Sequence, residues 1–115
     1  MKTLFILPLI IFTFAVSYLF AGDTVKEEQV KVFGNCKQCK DRIESTLKIK
    51  EVKFAKWDKK SKMLRVAYQS DKISLDSLQQ LVASVGHDTE KFKAPDSVYS
   101  ELPGCCLYRD GEHTH

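Results

Sequence analysis

The apolar pattern of this chain changes period within a few residues, and two cysteines sit at the change. Val30 and Val32 alternate with Gln29 and Lys31 as far as Phe33-Gly34, the two-residue period of a strand with one buried face. From Lys37 to Lys48 the apolar positions Cys39, Ile43 and Leu47 fall instead at four-residue steps, with Lys, Asp, Arg and Glu between them, which is a helix stripe. Cys36-Lys37-Gln38-Cys39 therefore lies where a strand turns into a helix. Such a turn points both thiols at one spot, and the free amides of the helix start favour thiolate over thiol.

Downstream, Val52 to Trp57 is rich in strand formers, Asp58 to Lys62 is a polar turn, and Leu64 to Tyr68 alternates again, so these runs read as a hairpin. Ser74 or Asp71 can cap a second helix carrying Leu75, Leu78, Leu81, Val82 and Val85, and Gly86 is placed to stop it. A weak last strand is expected over 89–94. The order is β-α-β-β-α-β, so the expected class is α+β: a ferredoxin-like antiparallel sheet with both helices on one face, followed by a cysteine-containing tail. Trp57, Phe54 and Tyr68 read as core or sheet-face residues at that spacing.

At 115 residues the chain has room for one such domain. Its 18 Lys+Arg and 15 Asp+Glu are interleaved along the sequence and sum to +3, which excludes a disordered chain and gives no basic block for nucleic acid. Residues 1–21 stand apart. Lys2 precedes Leu4 to Phe20, a run without a charged side chain, and small Ala21 is followed by polar Gly22-Asp23-Thr24. This reads as a secretory signal cleaved after residue 21, or as an amino-terminal membrane anchor if it is retained. The expected organisation is thus an export segment at 1–21, a folded domain at 22–94 and a tail at 95–115, in a periplasmic or secreted protein.

Two converging soft thiolates suit a soft metal ion. Cu(I) accepts two sulfur ligands, whereas a structural zinc site ordinarily takes four, which this loop alone does not supply. A redox-active pair and a plain disulfide are the alternatives, since an exported protein meets an oxidising compartment. Thioredoxin-type motifs also open a helix after a strand, but they usually carry a pair such as Gly-Pro between the cysteines, and here the pair is Lys37-Gln38. No Ser-His-Asp pattern, paired-carboxylate signature or phosphate loop stands out, so the chain is not read as an enzyme.

The stretch from Val32 to Leu47, Val-Phe-Gly-Asn-Cys-Lys-Gln-Cys-Lys-Asp-Arg-Ile-Glu-Ser-Thr-Leu, resembles the heavy-metal-associated domain of copper chaperones, P-type ATPase amino-terminal modules and the periplasmic mercury-binding protein. The resemblance covers 28–94, and Ile43, Leu47 and Val52 match the family's apolar positions. It implies that Cys36 and Cys39 are metal ligands and that the chain binds a soft ion and passes it on by thiolate exchange. The partner would be a metal-transporting membrane protein or another metal-handling protein. Cu(I) is the expected ion, with Hg(II), Ag(I), Cd(II) and Zn(II) as alternatives that a sulfur pair also serves. The family usually has Gly-Met-x-Cys. Here Gly34-Asn35-Cys36 is one residue shorter, and Phe33 stands where the buried Met would anchor the loop. His87 follows Gly86, where the family often has Tyr, Phe or Lys, and is either a further ligand or a solvated turn residue.

The tail adds Cys105-Cys106, neighbours that cannot bridge each other without strain in ordinary geometry. Asp96 can cap a turn or two ending before Pro103-Gly104. Extended, the ten residues before Cys105 reach up to ~33 Å, enough to return to the Cys-x-x-Cys loop. Cys105 and Cys106 are therefore candidate additional sulfurs for that site. The His113-x-His115 end can bind divalent ions weakly.

Overall fold

The computed structural model describes residues 24–110; residues 1–21, read above as an export signal or anchor, and the His113 and His115 end lie outside the described residues. The order is β1 (Val25–Lys31), α1 (Lys37–Thr46), β2 (Val52–Trp57), β3 (Met63–Gln69), α2 (Leu75–Ser84) and a one-turn α3 (Asp96–Tyr99). Two 3-10 turns follow, Gly104–Cys106 and Tyr108–Asp110. The strands form an antiparallel sheet in the order β1-β3-β2, with Val30 opposite Leu64 on one side and Trp57 opposite Leu64 on the other. This is the ferredoxin-like arrangement expected from the sequence. Among the described residues no helix is long and apolar enough to cross a membrane.

Period explains the core. Leu64, Val66 and Tyr68 alternate along β3 and join Val30, Val32 and Trp57 of the sheet side. Ile43 and Leu47 of α1, with Leu78 and Val82 of α2, close over them. A register shift between Val52 and Phe54 leaves Phe54 half-buried beneath the Arg65 guanidinium, 5.2 Å from the ring centre. Ser74 caps α2 by accepting from the Ser77 N–H at 3.0 Å.

The fourth strand expected over 89–94 is reduced to a single antiparallel bridge between Val32 and Thr89. Beyond the Glu90 N–H, which donates to the Lys31 carbonyl, backbone groups of this segment are taken by nearer partners. Thr89 Oγ1 accepts from the Phe92 N–H at 3.0 Å, the Thr89 N–H donates to the Phe92 carbonyl, and Asp88 Oδ1 accepts from the Ala94 N–H. Side chains that satisfy the backbone locally compete with a sheet ladder, and Pro95 lacks a donor. The short helix also differs from its expected start: Pro95 is its N-cap and makes no capping bond, while the Asp96 carboxylate faces Arg109 at 2.9 Å.

Gly86 ends α2 with φ +109° and is covered by Leu102 from the tail. A Cβ there would come 2.9 Å from Leu102 Cδ2 and 3.1 Å from its Cγ. Gly86→Ala therefore combines left-handed strain with displacement of the tail, and chemical denaturation should show a loss of roughly 1–3 kcal/mol. An unchanged unfolding midpoint would contradict this packing.

Candidate metal centre

Cys36 is the N-cap of α1 and Cys39 lies one turn in, so the first turn of the helix sets their separation at 3.5 Å between sulfurs. Gly34 makes the close approach possible. A Cβ on it would meet Cys39 Cβ at 3.0 Å and the Trp57 ring at 3.1 Å. Trp57 is itself buried, and its indole N–H donates to the Val32 carbonyl at 2.9 Å. The Asn35 N–H points at Cys39 Sγ from 3.3 Å, while Asn35 Nδ2 is buried without a hydrogen-bond partner. Phe33 is not the buried anchor suggested by its position: it is exposed, with Lys31 Nζ 5.3 Å from its ring centre. The loop is pinned by glycine and tryptophan instead.

The tail returns to this loop. Cys105 Sγ lies 3.3 Å and Cys106 Sγ 3.4 Å from Cys36 Sγ, and the two tail sulfurs are 3.8 Å apart. All four cysteines are free thiols. Cys36, Cys39 and Cys106 lie within 4.8 Å of one another, a set able to hold a metal ion, and Cys105 stands outside it. Cys39 and Cys106 are completely buried, so Cys106 belongs to the same core as the helices. Three sulfurs each ~2.3 Å from one metal are ~4.0 Å apart, close to this spacing.

Burial pushes the Cys36 thiol up, but the Cys39 N–H at the helix start and the thiols of Cys105, Cys106 and Cys39 outweigh it and bring Cys36 down to about 7. The hydrogen-bonded contact with Cys36 holds the Cys105 thiol up, with burial adding to it. Cys106 is pushed well above an ordinary thiol by burial, against the pull of Arg42 and with the help of Cys39 and Cys36. Of Cys36, Cys105 and Cys106, Cys36 is thus the thiol that ionises most readily.

His87 is neither solvated nor among the clustered sulfurs. It is wholly buried, with Nδ1 2.8 Å from the Phe33 carbonyl and Nε2 3.2 Å from Arg42 Nη1. Burial, aided by the Arg42 charge and opposed by the Phe33 carbonyl and Asp88, lowers it from 6.5 to about 4. At neutral pH it is an uncharged linker between the loop and α1.

The residues that dock the tail carry no local sequence signal. Arg109 Nε and Nη2 grip both Asp88 oxygens at 3.0 and 2.6 Å, Nη2 also donates to the Ala94 carbonyl at 2.7 Å, and the guanidinium lies 4.2 Å from the Tyr99 ring centre. Tyr108 stacks on His87, donates to the Gly86 carbonyl and accepts from the Asp88 N–H, both at 2.7 Å. The contacts of Tyr108 and Arg109 with Gly86 and Asp88 bridge 20 residues or more. Arg42, three residues after Cys39 on the same helix face, was locatable from spacing but has no motif to mark it.

Against known proteins, no family profile matches the sequence and no curated protein aligns with it significantly; the likeness lies in structure. CopZ metallochaperone superposes with TM-score 0.53 at 26% identity, over 56% of this chain and 98% of its own. The Cu(I)-loaded N-terminal domain of a potential copper-translocating P-type ATPase from Bacillus subtilis gives 0.55 at 25%, over 64% and 95%. A candidate copper-ion-binding protein from Bacillus anthracis str. Ames gives 0.56 at 21%, over 60% and 100%, a likeness of fold. The fold is that of a heavy-metal-associated domain. These three neighbours are matched almost end to end, whereas more than a third of this chain lies outside each match.

Two outcomes follow for the metal-free chain. Arg109→Met should cost about 1–3 kcal/mol and speed alkylation of Cys106 about tenfold or more, because the buried thiol opens once the tail is unclamped; an unchanged labelling rate would contradict the clamp. Acidification should also destabilise. His87 binds a proton near 6.5 when unfolded but only near 4 when folded, so unfolding takes up a proton in that window and stability falls as pH drops through it, by up to about 3 kcal/mol. Asp88, held below the ordinary carboxylate range by the Arg109 hydrogen bonds against the opposing effect of burial, adds a loss at still lower pH. His87→Gln should flatten the upper part of the profile in a pH series of thermal melts.

Proposed function

We propose that this chain is an exported soft-metal-binding protein that holds Cu(I) on Cys36, Cys39 and Cys106 and passes it on by thiolate exchange. The gathering of these three sulfurs within 4.8 Å is the observation that carries the reading. Soft thiolates select a soft ion, and a three-sulfur set suits Cu(I) better than the four ligands of a structural zinc site. The likeness to a Cu(I)-loaded ATPase domain and to a metallochaperone supports copper as the cargo. The recipient is a metal-transporting membrane protein or another metal-handling protein. Export is read from the charge-free run and small Ala21 within residues 1–21, and on that reading the chain works in the periplasm or outside the cell, or on the membrane if the segment is retained.

In exchange chemistry each coordinating thiol gives up its proton to water as the metal arrives. Cys36, already near neutrality, is suited to make the first bond. Cys39 and then Cys106 close the site, and the partner's thiolate displaces them in turn. The chain forms and breaks no covalent bond in its cargo, so the role is binding and transfer, not catalysis.

A second reading follows from the same Cys36 thiol, 3.3 Å from Cys105. A low thiol beside a second one is the arrangement of a thiol-disulfide oxidoreductase. The two readings separate in one comparison. Anaerobic Cu(I) competition against a chelator, with native mass spectrometry, should show one tightly held ion that is lost in Cys36→Ser and Cys39→Ser and is bound about tenfold or more weakly in Cys106→Ser. Reduction of a low-molecular-weight disulfide with turnover, without competitive Cu(I) binding, would overturn the metal reading in favour of the redox one.

A further inference from the structure

We propose that Arg42, oriented by His87, is the counter-charge that draws Cys106 into the metal site and makes it a three-sulfur centre. The inference rests on the metal-binding reading above and extends it to a residue outside the ligand set. Arg42 Nη1 lies 3.3 Å from Cys106 Sγ and 3.2 Å from His87 Nε2. The other cations at the start of α1 are already matched, Lys37 with Asp41 at 3.1 Å and Lys40 with Glu44 at 2.7 Å. No carboxylate pairs with Arg42 among the described residues. A half-buried guanidinium whose partners are a thiol and an imidazole is a cation whose anion is missing.

Metal loading supplies that anion. Three thiolates around one Cu(I) leave a charge of −2, and the protons of the bound thiols go to solvent. The Arg42 N–H on Cys106 then becomes a charge-assisted hydrogen bond to a coordinating sulfur, stronger and shorter than its thiol counterpart. A divalent ion in the same three sulfurs leaves only −1, so the guanidinium favours the monovalent ion.

His87 fixes the direction of that bond. Its Nδ1 donates to the Phe33 carbonyl, which leaves Nε2 to accept from Arg42, and Tyr108 stacks against the ring at 5.5 Å. The metal loop, α1 and the tail therefore meet through one imidazole. Arg42 meets the cluster at Cys106 and His87 acts through Arg42, so they are positioning residues and not ligands.

A double-mutant cycle on the full reduced chain tests this, with Cu(I) as the probe and chelator competition as the readout. Arg42→Met should weaken Cu(I) binding about ten- to hundredfold, the worth of one hydrogen bond to a charged group. Cys106→Ala should do the same, and the double variant should be no weaker than Cys106→Ala within about twofold. X-ray absorption should count three sulfurs on copper in the wild type and two in Arg42→Met, with Arg42→Lys recovering part of the affinity. If Arg42→Met does not fold, Arg42→Gln and Arg42→Lys carry the same comparison. Unchanged affinity and coordination in the Arg42 variants, or penalties that simply add in the double variant, would overturn the inference and leave the metal-binding reading standing. A wild type that takes up no Cu(I) would overturn both.

Discussion

The bidentate grip of Arg109 on Asp88 decides what kind of site this domain has. Asp88 sits just after the turn that ends α2, and Arg109 lies within the last described turn of the chain. Holding these ends together lays the intervening residues across the loop between β1 and α1, with Leu102 over Gly86 and Cys106 in the core. Both partners are about one-fifth exposed, so solvent screens this pair less than the surface ion pairs. Without the grip, the fold still presents two sulfurs at the start of α1. With it, the same loop faces four.

The sacrifice of the fourth strand belongs to the same design. A full strand over 89–94 would have consumed the backbone groups that Asp88, Thr89 and Arg109 use here, and would have led the chain away from the metal loop. Asp88 Oδ1 takes the Ala94 N–H, and Arg109 takes the Ala94 carbonyl. The chain thereby turns back after a single bridge to Val32. A sheet edge has been exchanged for a docked tail, and the edge of β1 is covered in part by the segment that replaces the strand.

Much of this was legible because it is local. The change from alternation at Val30 and Val32 to four-residue steps at Cys39, Ile43 and Leu47 places the Cys-x-x-Cys turn and the helix that presents it. The stripe in α2 and the stop at Gly86 are equally periodic. Three features were not legible, for one shared reason. The grip of Arg109 on Asp88, the burial of His87 and the exposure of Phe33 depend on which segment lies across the loop, and no spacing within the tail encodes that. Chain length showed that Cys105 and Cys106 could reach the loop; only the contacts of Tyr108 and Arg109 bring them there. His87 follows a glycine in a turn, where a polar residue is ordinarily solvated, and it is the stacked Tyr108 that turns the position into interior.

The division of labour between loop and tail bears on how a tightly held ion could leave. Cys36 and Cys39 are fixed by the helix start, by Gly34 and by Trp57, all within the body of the fold. Cys106 is delivered by a segment whose anchors lie at its far end, on Asp88 and Gly86. On the proposed reading these are two separable contributions to affinity. The loop defines the site, while the tail sets how completely the ion is enclosed. A partner that offers its own thiolate need not unfold the loop to take the cargo. Exchange of Cys106 for the incoming thiolate forms one metal–sulfur bond as another breaks and keeps the ion three-coordinate, so on that reading the barrier to transfer is the undocking of a short tail and not the uncompensated loss of a metal–sulfur bond.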